Sequence, residues 1–207
     1  MELSQDPIYT GGYVLRPFRR RDVDALVDAV RGSIDELHQW LPWAHLAYGR
    51  IEASHFVRES MKSWKDTRAY DFSIRARDAE KDRHLGNVSI WFVSRGFRTG
   101  EIGYWVRSDH TTQGTATEVT ARLVQVGFDQ LKMHRIVLRI AVGNRASERV
   151  AEKLSFVREG ILREELKIRG TWTDHTVYSM LDHEYDKHRQ KISDIVAGAH
   201  LPVDDPG

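Results

Sequence analysis

The stretch His110-Thr111-Thr112-Gln113-Gly114-Thr115-Ala116-Thr117-Glu118 decides how the rest of this chain is read. It lies between a strand-like run, Glu101-Ile102-Gly103-Tyr104-Trp105-Val106, and an amphipathic run. A loop of small residues that ends a strand and opens a helix is a place to hold an anion. The first N–H groups of a helix have no internal acceptor, and the helix dipole adds partial positive charge there. The small side chains let a phosphate approach the main chain of residues 112–117.

Working outward, the run after the loop is the clearest helix in the chain. Ala116, Val119, Thr120, Leu123, Gly127 and Leu131 share one face, and Glu118, Arg122, Gln125, Asp129 and Lys132 the other. Arg135 to Val142 is β-branched and almost continuously apolar, which predicts an interior strand. Gly143-Asn144-Arg145-Ala146-Ser147 is a second small polar turn, followed by a helix from Ala146 to Leu154. The strands at 101–106 and 135–142 each feed a helix. They are therefore expected to be parallel neighbours joined by a right-handed crossover, with a ligand at the shared end of their two loops.

Upstream, Tyr13 to Phe18 alternates as a strand. Asp22 precedes a helix carrying Val23, Leu26, Val27 and Val30, and Ser33 with Glu36 has capping-box spacing. Trp40-Leu41-Pro42-Trp43 forms a stiff aromatic corner, open to reading as core or as a cleft wall. Residues 51–65 form a helix with an imperfect apolar stripe through Ile51, Phe56, Val57, Met61 and Trp64. Residues 70–75, 84–93 and 101–106 predict an antiparallel meander, with a charged turn from Arg77 to Arg83. Downstream, 157–168 and 172–181 predict a hairpin. The expected organisation is one domain over 1–183, then a polar helix and a frayed tail over 184–207.

The totals exclude several classes. Lys plus Arg total 31 against 30 Asp plus Glu, so bulk charge favours neither nucleic acid nor an anionic membrane. The absence of cysteine removes disulfides, thiolate catalysis and cysteine-bound zinc. No apolar run approaches the roughly 20 residues of a membrane span, and Met1 to Pro7 lacks a secretory layout. A cytoplasmic protein without a metal is expected. Neither Gly-x-x-x-x-Gly-Lys-Ser/Thr nor Gly-x-Gly-x-x-Gly occurs, which disfavours a nucleotide-binding module.

Thr111-Thr112-Gln113-Gly114-Thr115-Ala116 resembles the coenzyme A pyrophosphate loop, Gln/Arg-x-x-Gly-x-Gly/Ala, of the GNAT superfamily of N-acyltransferases. Ala116-Thr117-Glu118 is similar to the Ala-Thr-Glu common in its RimJ/RimL branch. Further likenesses follow in order: Leu15-Arg16, Trp40 to Trp43, Glu101 to Val106, Asn144 to Phe156, Glu159-Gly160 with Leu162-Arg163, Gly170 to His175, and Tyr178 to Leu181. They cover about residues 11–182. Thr111 departs from Gln/Arg, Thr112 stands where many members have glycine, and Ser155 replaces a glycine before Phe156.

The resemblance implies an α+β fold with a mixed, mostly antiparallel sheet flanked by helices and splayed between two parallel central strands. It implies acyl-CoA as co-substrate, acetyl by default with succinyl as an alternative, and direct attack by a primary amine. The acceptor could be a protein N-terminus, a lysine or a small molecule. A non-catalytic CoA-binding sensor or assembly subunit is the alternative of another class. Thr112, Gln113, Gly114, Thr115, Ala116 and Thr117 would hold the pyrophosphate, while the main chain around Val106 and Arg107, together with Asn144, would hold the pantetheine arm. Ser147 would hydrogen-bond the thiolate, or simply cap its helix. Glu101 and Glu164 are the candidate general bases. Glu164 shares a strand face with Leu162, Leu166 and Ile168, so a carboxylate interrupts an apolar row. Trp40, Trp43 and His175 would line the acceptor side; His175 is a third candidate base. For a succinyl carboxylate, Arg107, His110 and His175 are the candidate partners. Exposed aromatic residues near the hairpin or at Trp91-Phe92 leave a homo-oligomer open.

Overall fold

A computed structural model describes residues 2–77 and 83–199. Most of the Arg77–Arg83 turn and the tail beyond residue 199 lie outside the described residues. In chain order the elements are β1 (Ile8–Tyr9), β2 (Tyr13–Pro17), α1 (Val23–Arg31), α2 (Ile34–Trp40), α3 (Arg50–Lys65), β3 (Ala69–Ala76), β4 (Gly86–Ser94) and β5 (Thr99–Val106). Then follow α4 (Thr115–Gln125), β6 (Arg135–Ala141), α5 (Arg145–Lys153), β7 (Val157–Ile168), β8 (Thr171–Leu181) and α6 (Asp182–Val196).

Among the described residues eight strands form one sheet, in the order β1-β2-β3-β4-β5-β6-β8-β7. Every pairing is antiparallel except β5 with β6. That parallel ladder is short: Thr99 faces Arg135, Gly100 faces Ile136, Glu101 faces Val137, and there it stops. Beyond Glu101 the strands part, so the expected mixed sheet, splayed between two parallel central strands, is what the chain adopts.

Strand periodicity sends alternate residues to opposite faces. Ile102, Ile136, Leu138 and Ile140 enter the larger core with Val119 and Leu123 of α4, Val150 of α5, and Tyr185 and Ile192 of α6. Each such buried aliphatic side chain contributes about 1.5–3 kcal/mol. The other face, near the N-terminal helices, holds a smaller cluster of Phe18, Leu26, Val30, Val57 and Trp105. α6 extends further than the short helix expected after His183, and Tyr185, Ile192 and Ile195 are buried in the larger core.

Several local expectations change. Ser33 makes no capping bond; its Oγ accepts the Ser108 N–H at 3.1 Å, and Glu36 accepts the Ser108 hydroxyl at 3.0 Å. The capping-box spacing is present, but both side chains are drawn to the end of β5. Asp22 turns away from α1 to accept from Arg16 Nη2 at 2.8 Å and the Arg19 N–H at 2.7 Å. Glu118 is buried rather than solvated, accepting the Gly12 N–H at 2.7 Å. Ile51 and Met61 face outward, and α3 packs through Ala53, Val57, Ser60 and Trp64.

Candidate active site

The loop before α4 is a row of unused donors. Among the described residues, the N–H groups of Thr112, Gln113, Gly114, Thr115, Ala116 and Thr117 meet no protein acceptor; the first bond of the helix is Glu118 N–H to Gly114 O. Gly114 is the N-cap in the left-handed region, with φ +79, and Thr112 also has positive φ, +63. Those dihedrals turn successive N–H groups toward one concavity, as an anion nest requires. Thr111 to Gly114 are exposed.

The main chain beside the gap is also open. Arg98 O accepts from His134 N–H on the β6 side, and Arg107 N–H donates to Leu85 O on the β4 side. The alternation of a strand between these two ends directs the main-chain groups of Ile102, Tyr104 and Val106 into the gap. Arg107 N–H and Ser108 N–H are already taken, so Tyr104 and Val106 remain. The Arg107 side chain is buried against Asp28, 2.7 Å, and Asp109, 3.2 Å, so it is not free to meet a ligand.

On the α4–α5 face, Tyr104 points to the start of α5, where its hydroxyl donates to Ser147 O at 3.4 Å. Burial pushes the Tyr104 phenol up to about 12, so it stays protonated at neutral pH. The N-cap of α5 is Asn144, whose Oδ1 accepts the Ser147 N–H at 3.2 Å. Ser147 is therefore not the cap, and its side chain faces the Tyr104 hydroxyl. It stands half-buried beside Tyr104.

The opposite face of the gap carries aromatic and charged groups. Trp105 packs against Trp43 at a centroid distance of 6.1 Å, and Trp43 against Tyr48 at 5.8 Å. Trp40 ends α2 half-buried and makes no ring contact with this group among the described residues. Glu101 is buried and held by Arg139 through Nε at 3.0 Å and Nη2 at 2.8 Å. Burial raises the Glu101 carboxyl above the ordinary carboxylate value, the Arg139 guanidinium lowers it, and the nearby Glu165 carboxylate raises it.

Glu164 is exposed, with φ +51, and its N–H donates to Asp174 Oδ1 at 2.8 Å. The carboxylate facing Arg139 is the next one, Glu165, at 2.5 Å. The cause is a bulge: β7 advances from Leu162 to Leu166 while β8 moves only from His175 to Thr173. Strict alternation fails across such an insertion. His175 lies across from Ala141 and Leu162, 4% exposed, with Nδ1 3.2 Å from Thr173 O and 3.6 Å from Glu165 Oε2. The sequence alone does not mark Trp105, Tyr104, Arg139 or Glu165 as a site residue. Only the alternation about Glu101 would have placed Trp105 on its face. No cluster of three or more metal-ligating side chains exists among the described residues, and no described helix is long and apolar enough to cross a membrane.

A wedge opening between two parallel strands, with a main-chain anion nest at its mouth, suits a long carrier that is phosphorylated at one end and reactive at the other. Residues 13–157 match the acetyltransferase (GNAT) domain, and the chain belongs to that family. It is 36% identical over 127 residues to the probable N-acetyltransferase YjcK of Bacillus subtilis, covering 61% of this chain and 69% of that one. It is 26% identical over 172 residues to the putative ribosomal N-acetyltransferase YdaF of the same organism, covering 83% and 92%. The structure of Mycobacterium smegmatis RimJ, in complex with CoA-disulfide, superposes with a TM-score of 0.81 at 25% identity, covering 94% of this chain and 93% of that one.

Proposed function

We propose that this chain moves an acetyl group from acetyl-CoA to a primary amine by direct attack on the thioester. The observation that carries this reading is the run of unpartnered N–H groups from Thr112 to Thr117 at the mouth of the β5–β6 gap. In the proposed complex the nest binds the pyrophosphate and the gap-facing main chain of Tyr104 and Val106 pairs with the pantetheine amides. The Asn144 turn borders that arm, and the Ser147 hydroxyl, beside Tyr104 at the start of α5, hydrogen-bonds the departing sulfur. The amine comes from the opposite face, along the wall of Trp43 and Trp105.

Acetyl is favoured over succinyl on charge grounds. A succinyl carboxylate needs a free cation near the thioester. Arg139 is spent on Glu101 and Glu165, and Arg107 on Asp28 and Asp109. The acceptor is proposed to be a peptide N-terminus or a small amine. The relatives named for ribosomal acetylation support the first.

The test is calorimetry with acetyl-CoA, succinyl-CoA and CoA, followed by thiol release in the presence of a serine-terminated peptide or spermidine. Acetyl-CoA should bind at least as tightly as succinyl-CoA, and thiol should appear only with an amine present. Ser147→Ala should lower turnover more than CoA affinity. No binding of any CoA species would overturn the reading, and binding without transfer to any amine would favour a CoA sensor.

A further inference from the structure

The two carboxylates read from the sequence as candidate bases are poorly placed to take a proton. Glu101 is clamped by two guanidinium nitrogens of Arg139, and Glu164 lies on the solvent side of a bulge. We infer instead that His175 is the group that deprotonates the attacking amine, with Glu165 holding its ring. This rests on the acetyl-transfer reading above.

The placement follows from register. β5 and β6 last pair at Glu101 and Val137. Four residues further along β5 is Trp105, and four further along β6 is Ala141, which faces His175 on β8. At about 3.3 Å per residue both points lie at the same height, about 13 Å beyond the vertex. That is the level of the Tyr104 and Val106 main chain, so a thioester reaching past the amides paired there lies nearer the vertex, at a height between His175 and the Glu101–Arg139 pair. The face is settled by the same ladder. Arg139 pairs with Val177 and Ala141 with His175, so His175 projects on the side of Arg139, Glu101 and Trp105, away from Ser147 and Tyr104.

The tautomer follows from the partners. A carbonyl oxygen only accepts, so the 3.2 Å contact to Thr173 O puts the proton on Nδ1. Glu165 Oε2 lies 3.6 Å from the same nitrogen, an ion-pair distance, and is a buried oxygen with no hydrogen-bond partner among the described residues. Glu165 Oε1 is fixed by Arg139, which is fixed in turn by Glu101. Nε2 is left with its lone pair free, and it makes no hydrogen bond among the described residues. The charged groups facing the imidazole are Glu165 on β7 and, through it, Arg139 on β6 and Glu101 on β5.

In the step so assigned, nitrogen forms a bond to the thioester carbonyl carbon, and the proton that nitrogen loses passes to His175 Nε2. The carbon–sulfur bond breaks with its electron pair going to sulfur, toward the Ser147 side of the gap. His175 is the catalytic residue and Glu165 the positioning residue. A base on one face and a sulfur donor on the other keep the incoming amine and the leaving thiolate apart.

Two measurements test the assignment. Nitrogen-15 imidazole NMR on the full chain needs no acceptor. It should report the Nδ1–H tautomer for His175 at neutral pH, and Glu165→Gln should convert it to a mixture. An Nε2–H tautomer, or one indifferent to Glu165→Gln, would overturn the dyad whether or not an acceptor is found. With acetyl-CoA and a serine-terminated peptide or spermidine, His175→Gln should lower kcat/KM about 100-fold and abolish the acid limb of its pH profile. Its affinity for CoA should stay within about twofold of the parent. Unchanged kcat/KM and acid limb in His175→Gln would refute the base role. Absence of transfer by the parent chain would instead count against the acetyl-transfer reading.

Discussion

Lowering the pH from 7 to 5 should destabilise this protein through one buried histidine, His84. Its ring is 1% exposed and lies 5.8 Å from both Phe18 and Trp105. The polar chain around it has one consistent direction. Arg75 Nε donates to Ser73 Oγ at 2.7 Å, the Ser73 hydroxyl contacts His84 Nδ1 at 2.9 Å, and His84 Nε2 meets Asn87 Oδ1 at 2.7 Å. Nε2 donates, Nδ1 accepts, and the ring is neutral. Burial, followed by the Arg75 charge, holds His84 down at about 3 against the ordinary 6.5. The unfolded chain therefore binds a proton below pH 6.5 that the folded chain refuses. Stability falls as pH drops through that window, with a limiting slope of about 1.4 kcal/mol per pH unit. Between pH 7 and 5 the loss is about 2 kcal/mol. The raised carboxyls of Glu101 and Asp71 act with the opposite sign as pH falls, so the comparison has to isolate His84. Urea unfolding of the parent chain and His84→Gln at pH 7, 6 and 5 does this. The parent should lose about 2 kcal/mol more than the variant across the range. Parallel losses in the two proteins, or an imidazolium signal from His84 at pH 5, would refute the reasoning.

Three further outcomes follow from the backbone and packing. Gly114→Ala forces a side chain into the left-handed N-cap of the anion nest; the strain, about 1–2 kcal/mol, should weaken CoA binding by calorimetry by about tenfold. Gly127→Ala puts a methyl group 2.5 Å from Ile136 Cδ1 and 2.9 Å from Ile90 Cδ1, and should cost about 1–3 kcal/mol in a urea melt. Ser155 holds φ +65, so Ser155→Gly should relieve strain and raise stability by about 0.5–1 kcal/mol, offset in part by loss of its 2.9 Å bond to Lys191.

The features legible in the sequence are those whose physics is local. The nest needs only small residues between a strand and an apolar-striped helix, and residues 111–125 supply both. The parallel pairing follows because a strand that feeds a helix can return only by a right-handed crossover. What stayed hidden depends on events far apart in the chain. Ser33 and Glu36 have the spacing of a capping box, yet Ser108 claims both side chains. Arg139 meets Glu101 and Glu165 only once the four strands β5, β6, β8 and β7 are side by side. Glu164 and Glu165 cannot be told apart by alternation when the extra residues of a bulge fall between Leu162 and Leu166.

That bulge links fold to chemistry. Without it, Glu164 would follow Leu162 onto the cleft face and Glu165 would face solvent. With it, β7 re-aims one carboxylate at Arg139 and His175 while leaving its neighbour to bond Asp174. β5 performs the matching separation on the other side of the gap. Its phase is pinned at both ends, by Arg98 O to His134 N–H and by Arg107 N–H to Leu85 O. A slip of one residue would exchange Tyr104 with Trp105, bringing the aromatic wall to Ser147 and the phenol to the amine. The division of one gap into an amine side and a sulfur side is thus a property of strand phase, held by the β4–β5 ladder, the main-chain hydrogen bonds at the two ends of β5 and one bulge in β7.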